Sequence, residues 1–178
     1  MSFFWVTLLV GAAFIAAGTH LLWHGPRSEK PLKAFPRSRP AAYVTMGLAA
    51  AWFLYEVTQL GPADFGQYKN ILFLVFLGVA VGSFYFVPDF LAVRGLAALL
   101  LLVAGAILQA GYMNYHPVAL LLKVFVYLGI LVALVLGASP YKMRDFLDWF
   151  FRSATRPRSF GAVAVVCGLS LIAGSFFY

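Results

Sequence analysis

Two charged residues lie well inside otherwise apolar segments of this sequence, apart from Arg94 near the start of the run 90–111, and they are the first candidates for chemistry. Glu56 is in the apolar run 41–60, and Lys123 is in the run 117–137. A charge at the centre of a bilayer costs roughly 2.5 to 3.5 kcal/mol, so each side chain is expected to face protein, a partner or water. We expect an ion pair between Glu56 and Lys123, because it would leave neither charge unpaired.

Other polar residues are predicted at the same depth as this pair. Counting ~1.5 Å per helical residue from the ends of the two runs places both charges in the outer third of a ~30 Å hydrocarbon core. Lys69, Asn70 and Tyr127 are expected in that layer. A polar cup open to the external side would be a binding site or the mouth of a transport pathway, with residues Glu56, Gln59, Gln109, Tyr112, Asn114, Tyr115, His116 and Lys123. The structural alternative is that Lys123 extends its ammonium to the interface and Glu56 has an ordinary structural partner.

A second candidate site is a pair of histidines. His20 and His24 are four residues apart, a spacing that places both rings on one face of a helix and can hold a metal ion. Cys167 belongs to another apolar run and His116 is expected near the opposite membrane face, so neither completes the site. No cofactor is predicted, and haem or metal at His20 and His24 is an alternative that requires a further ligand or a partner chain.

The sequence contains none of several common catalytic motifs. Gly-x-Ser-x-Gly, His-Glu-x-x-His, Cys-x-x-Cys and the phosphate-binding glycine loop are all missing. The single cysteine, Cys167, excludes an internal disulfide. We therefore predict no catalytic residue, and an enzyme is not the favoured interpretation.

Six apolar runs must position these residues. The chain is 63% hydrophobic and 11% charged, far below the roughly 25% charged residues of soluble domains. We predict an all-α integral membrane protein, a single polytopic domain over 1–178 in which six transmembrane helices form a compact bundle. The predicted spans are 2–23, 41–60, 71–87, 90–111, 117–137 and 160–177. Each is close to the ~20 residues that a helix needs to cross a bilayer.

Segments outside and within the spans have their own patterns. Residues 24–40 contain four prolines and are predicted to be a basic, irregular loop. Between spans five and six, Ser139-Pro140 predicts the start of an amphipathic helix over about 140–152, and Arg156-Pro157-Arg158 is expected to end it. Its apolar side would be Met143, Phe146, Leu147, Phe150 and Phe151, and its polar side Arg144, Asp145, Asp148 and Arg152. In span three, Gly78 and Gly82 are spaced for close helix approach.

Positive charge is concentrated in three segments. All of the 13 Lys and Arg except Lys69 and Lys123 fall within residues 24–40, 88–94 and 139–158. The positive-inside rule therefore predicts that these segments are cytoplasmic and both termini are not. The expected location is a bacterial inner (cytoplasmic) membrane, and an organellar membrane is the alternative that the same rule allows. Topology explains the net charge of +7, so no nucleic acid is expected. The same charges would attract anionic lipid, with candidate headgroup residues Asp89, Arg94, Arg144 and Arg152. A helix cap is the structural alternative for Asp89.

Short loops and the lack of a soluble domain favour one function class. We predict a non-catalytic polytopic membrane protein, a subunit or accessory component of a membrane complex. Its expected partners are the bilayer and other membrane proteins or a second copy of itself. The alternatives are a small transporter or channel with a polar site in the outer third of the bilayer, and a haem-binding, metal-binding or lipid-modifying membrane enzyme.

Overall fold

The structure, a computed structural model, describes residues 3–177, and the secondary structure there is entirely helical, as predicted. These residues form seven α-helices of ten residues or more and one of six. The helices are α1 (Phe3–His24), α2 (Glu29–Ala34), α3 (Arg39–Thr58), α4 (Lys69–Phe86), α5 (Leu91–Ala110), α6 (Ala119–Ala138), α7 (Tyr141–Phe150) and α8 (Thr155–Ser175).

Five helical segments in the described range are long and apolar enough to cross a membrane. They are Phe3–Arg37, Gly66–Phe86, Leu91–Ala110, Ala119–Ala138 and Thr155–Ser175. They indicate an integral membrane protein. The remaining predicted span, 41–60, coincides with the 20-residue helix α3, which is not among the five. Tyr43, Trp52 and Glu56 lower the mean hydropathy of α3, and the count of six spans is therefore not confirmed.

The prediction of an irregular loop over 24–40 is wrong. After α1 the chain forms 3-10 turns at Gly25–Ser28 and Phe35–Arg37, with α2 between them. The prolines fit because each lies in the first turn of its helical segment, where a backbone N–H has no acceptor within the helix. Pro157 repeats this arrangement as the third residue of α8. The segment Arg156-Pro157-Arg158 therefore begins α8, although it was expected to end the preceding helix.

The amphipathic helix α7 is confirmed within two residues at each end. Leu147 and Phe150 are buried, whereas Arg144, Asp145 and Asp148 are exposed. Phe146 departs from the predicted pattern, because its ring is partly exposed at 44% while it stacks on Phe150. The location of α7 in the headgroup plane remains a prediction.

The chain packs as two compact units, and the prediction of a single domain is left untested. The described residues of the first unit are 3–33, 103–131 and 144–177. Here α1 and α8 pack closely, with Gly11 opposite Gly168 and Gly18 opposite Gly161. This pairing makes the two helices antiparallel, and the seven-residue interval is the repeat of left-handed helix packing. The core of this unit consists of Phe3, Ala104, Ala119, Leu122, Val126 and Leu171.

The second unit comprises residues 34–102 and 132–143. Helices α3 and α5 approach closely at Gly95, where an added Cβ would lie 2.5 Å from the backbone nitrogen of Met46. The hydroxyl of Thr45 lies 3.0 Å from the carbonyl oxygen of Ala92 across this contact and 2.9 Å from that of Ala41 in its own helix, so the two acceptors share its single proton. Helix α4 packs on α3 through two aromatic pairs, Tyr43 with Phe84 at 5.3 Å and Phe53 with Phe76 at 4.9 Å between ring centroids.

Candidate functional site

The end of α3 and the start of α4 carry part of the predicted polar cup. The indole N–H of Trp52 donates to Oε1 of Glu56 at 3.0 Å, so the carboxylate has a partner one turn earlier in its own helix. The side-chain amide of Gln59 donates to the hydroxyl of Thr58 at 3.5 Å. An open cavity of about 500 Å³ at this end is lined by Thr58, Lys69, Asn70, Phe73 and Leu74. Lys69 is the single cation among these lining residues, so the cavity could accept a small anion or water.

The turn between α5 and α6 carries the rest of the predicted cup. Lys123 is half-buried, and its ammonium donates to the carbonyl oxygen of Asn114 at 2.9 Å. The backbone N–H of His116 donates to Oδ1 of Asn114 at 3.1 Å. Lys123 therefore stabilises this turn. Gln109, Tyr112 and Tyr115 are exposed.

The predicted ion pair joins residues of different units. Glu56 belongs to the second unit and Lys123 to the first. Each has a hydrogen-bond partner within its own unit. These hydrogen bonds are compatible with the alternative in which Glu56 and Lys123 have structural roles and do not form a binding site. The pairing of Glu56 with Lys123 remains a prediction.

His20 and His24 lie on one face of α1, as their spacing predicts. Their rings stack with centroids 5.3 Å apart, and both residues are exposed. Nε2 of His20 is 3.1 Å from the hydroxyl of Ser28, which in turn donates to the carbonyl of His24. Within residues 3–177 there is no group of three or more His, Cys, Asp or Glu side chains that could hold a metal ion. A haem or metal here would need ligands from elsewhere, and that alternative stays untested.

The four candidate headgroup residues differ in their contacts. Arg144 forms an ion pair with Asp145 at 2.8 Å, whereas Arg94 and Arg152 form no ion pair with a described residue, and all three arginines are exposed. Asp89 is also exposed and makes no side-chain hydrogen bond to another described residue, so the capping contact suggested for it is not formed. The binding of lipid headgroups by these residues remains a prediction.

Lys33 makes one ion pair within α2 and one that joins α2 to α7. Its ammonium lies 2.9 Å from Oε1 of Glu29 and 3.1 Å from Oδ1 of Asp148. The hydrogen bond to Glu29 and then that to Asp148 raise the pKa of Lys33 above its ordinary value of 10.5. Sequence reasoning missed this contact, because it depends on how α7 folds back toward α2.

Sequence reasoning also missed two cavities along α3, α4 and α5. We call the first the arginine pocket. It has a volume of about 320 Å³ and is lined by Pro36, Arg37, Ser38, Arg39, Ala42, Tyr43, Phe84, Tyr85, Pro88, Leu91 and Ala92. We call the second the apolar groove. It has a volume of about 380 Å³ and is lined by Met46, Ala49, Ala50, Phe53, Leu54, Phe76, Val79, Ala80, Ala98, Leu101 and Leu102.

Helix α4 has an open glycine face. No residue of α4 is buried. A Cβ added to Gly78 would meet no atom within 4 Å, and one added to Gly82 would meet only the ring of Phe86 from the same helix. The spacing of these glycines would allow another helix to approach closely, but no other helix of the described residues packs there.

The described residues satisfy their own buried polar groups. Throughout residues 3–177, every buried side-chain nitrogen and oxygen has a hydrogen-bond partner.

No family model, curated protein or solved structure matches this chain.

Proposed function

We propose that this chain is a non-catalytic subunit of a membrane-protein complex and that a membrane-spanning helix of a partner packs on the glycine face of α4. The supporting observation is that Gly78 and Gly82 form an open pair, one turn apart on the same helix. Other helical glycines are either open singly, as Gly105 and Gly129 are, or covered within the chain. A Cβ added to Gly18, for example, would lie 2.7 Å from a carbonyl oxygen of α8.

The physical reason lies in how helices associate in lipid. Lipid tails are as apolar as leucine, so helices associate through close backbone packing rather than through a hydrophobic driving force. Glycines at i and i+4 of an apolar helix form a flat surface that permits this packing. On α4, at 100° per residue, Gly78 and Gly82 lie on the side opposite Phe76 and Phe84, which pack on α3. A partner helix could therefore bind without displacing α3.

The proposal includes a six-span topology with α3 as the additional span. Its 20 residues would extend ~30 Å, the thickness of the hydrocarbon core. Its contacts with the apolar helices α4 and α5 support its placement among them. The distribution of Lys and Arg supports cytoplasmic locations for 24–40, 88–94 and 139–158, with both termini outside a bacterial inner membrane.

Purification from native membranes in a mild detergent tests the proposed association. The wild-type chain should come with a stoichiometric membrane partner, either another membrane protein or a second copy, identified by mass spectrometry and by the mass of the complex. The double variant Gly78→Leu with Gly82→Leu should lose that partner. Gly105→Leu with Gly129→Leu is the matched control, because a Cβ at either position also meets no atom within 4 Å.

Two results would contradict the association. One is a wild-type chain that purifies as a monomer with no partner. The other is a Gly78→Leu, Gly82→Leu variant that folds and keeps the partner as well as the control does. Size-exclusion chromatography and thermal unfolding of each variant separate loss of association from loss of folding.

A further inference from the structure

The arginine pocket contains two cations that lack an anionic partner. Arg37 and Arg39 both line it, and neither forms an ion pair with a carboxylate of the described residues. By contrast, Lys33 and Arg144 are both paired. The guanidinium of Arg37 lies 5.6 Å from the ring centroid of Phe90, a contact that orients it. The nearby carboxylate in the sequence, Asp89, does not line the pocket.

The rest of the pocket suits a phosphate group at a membrane interface. Tyr43 and Tyr85 line it, and the ring of Tyr43 is fixed by stacking on Phe84. Tyrosine at such a position presents a hydroxyl donor above an apolar body. Arginine is well suited to bind phosphate, because its planar guanidinium can donate two parallel hydrogen bonds.

The apolar groove lies along the same three helices as this pocket. It begins at Met46 on α3 and at Ala80 on α4, about one helical turn beyond Tyr43 and Phe84. Every lining residue of the groove is apolar, namely Met46, Ala49, Ala50, Phe53, Leu54, Phe76, Val79, Ala80, Ala98, Leu101 and Leu102. It therefore offers no polar side chain to a ligand and suits a hydrocarbon chain.

The dimensions of the two cavities match one lipid leaflet. From Ala42 in the pocket to Leu54 at the far end of the groove, α3 advances ~18 Å at 1.5 Å per residue. Half of a ~30 Å hydrocarbon core, the depth reached by an acyl chain, is ~15 Å. The close contact of α3 with α5 at Gly95 provides a continuous wall on one side.

We propose that one anionic phospholipid binds along α3, α4 and α5, with its phosphate at Arg37 and Arg39 in the arginine pocket and an acyl chain in the apolar groove. This site is distinct from the glycine face of α4 and does not depend on the proposed association. It also differs from general attraction of lipid to basic loops, because it requires a particular pair of arginines and the shape of the groove.

Native mass spectrometry of the purified full chain tests the site, with dioleoyl phosphatidylglycerol as the anionic probe and dioleoyl phosphatidylcholine as the zwitterionic one. The wild type should retain one phosphatidylglycerol per chain and bind phosphatidylcholine more weakly. Arg37→Gln with Arg39→Gln should weaken phosphatidylglycerol binding about tenfold or more, as expected for the loss of charge-assisted hydrogen bonds. Arg27→Gln with Arg158→Gln is the matched control, because both arginines are exposed and neither lines the pocket.

A second variant tests the groove without changing any charge. Ala50→Phe with Ala98→Phe would fill the groove and should weaken binding of both lipids while leaving the arginine pocket intact. If the arginine variant fails to fold, this variant and the wild-type preference for phosphatidylglycerol still decide the question.

Three results would overturn the proposal. The first is equal binding of the two lipids by the wild type. The second is an equal loss of binding in the Arg27→Gln, Arg158→Gln control. The third is displacement of phosphatidylglycerol by inorganic phosphate at equal concentration together with normal binding by the groove variant, which would indicate a site for the anion alone.

Discussion

Gly18 and Gly161 face each other across α1 and α8 so closely that a Cβ added to either would lie 2.7 Å from the carbonyl oxygen of the other. Gly11 and Gly168 repeat this contact seven residues away in each helix. A backbone carbonyl cannot rotate aside as the end of a side chain can. The separation of α1 and α8 is therefore set by the absence of side chains at these positions.

Replacing Gly18 with leucine should force α1 and α8 apart. Overpacking of this kind costs ~1–3 kcal/mol and more where the backbone must shift. Thermal unfolding of the purified protein should show a clear loss of stability for Gly18→Leu. Gly105→Leu is the control, because a Cβ at Gly105 has no neighbour within 4 Å. Equal stability of the two variants would show that the glycine contact does not hold these helices together.

The Thr45 hydroxyl should contribute to the packing of α3 on α5. Thr45→Val keeps the shape of the side chain but removes the hydrogen bond to the carbonyl of Ala92, at an expected cost of ~1 kcal/mol. Thr19→Val is the matched control, because the hydroxyl of Thr19 bonds only to carbonyls of its own helix, those of Ile15 and Ala16. If Thr19→Val lowers the free energy of unfolding as much as Thr45→Val does, the hydrogen bond between α3 and α5 has no special role.

The contact of α2 with α7 should weaken at alkaline pH. The folded-state pKa of Lys33 is raised above 10.5, so its stabilising contribution is fully present below the unfolded-state pKa and is lost as the pH rises through the folded-state value. Lys33→Met should lower stability at neutral pH and reduce its dependence on pH in the alkaline range. Lys30→Met is the control, because Lys30 is exposed and forms no ion pair with a described residue. An unchanged alkaline dependence in Lys33→Met would contradict this assignment.

The number of spans can be determined from the location of the two termini. With α3 crossing the membrane, the six spans place both termini on the same, non-cytoplasmic side. If only the five segments that are long and apolar enough to cross a membrane do so, the termini would lie on opposite sides of it. Reporter fusions active on one side of the membrane, joined separately to each terminus, distinguish these arrangements. Opposite locations would rule out the six-span topology.

Hydropathy predicted the helices well, because the length of an apolar run constrains where a helix can begin and end. The predicted run 90–111 is helix α5, Leu91–Ala110, within one residue at each end. The main errors in the predicted secondary structure came from the interpretation of proline. Pro31 and Pro157 were interpreted as helix breakers, but both lie in first turns, where proline is tolerated.

The candidate sites were less predictable, because they depend on contacts between distant residues. The partner of Lys123 is the backbone carbonyl of Asn114, and a backbone acceptor leaves no signal in a residue pattern. Arg37 and Arg39 were recognised as part of a basic segment, but their pocket depends on the register of α4 and α5 against α3. By contrast, the bond from Trp52 to Glu56 follows from their i, i+4 spacing and could have been predicted.

The proposed partner contact of α4 can be tested most directly by photo-cross-linking in native membranes. Val75 is exposed and lies three and seven residues before the two glycines, on the same face of α4. A photoreactive benzoylphenylalanine replacing Val75 should form a discrete adduct with another membrane protein or a second copy, whereas the same group replacing exposed Leu128 on α6 should not. Adducts with lipid alone at both positions would contradict the proposal that the glycine face of α4 binds a partner helix.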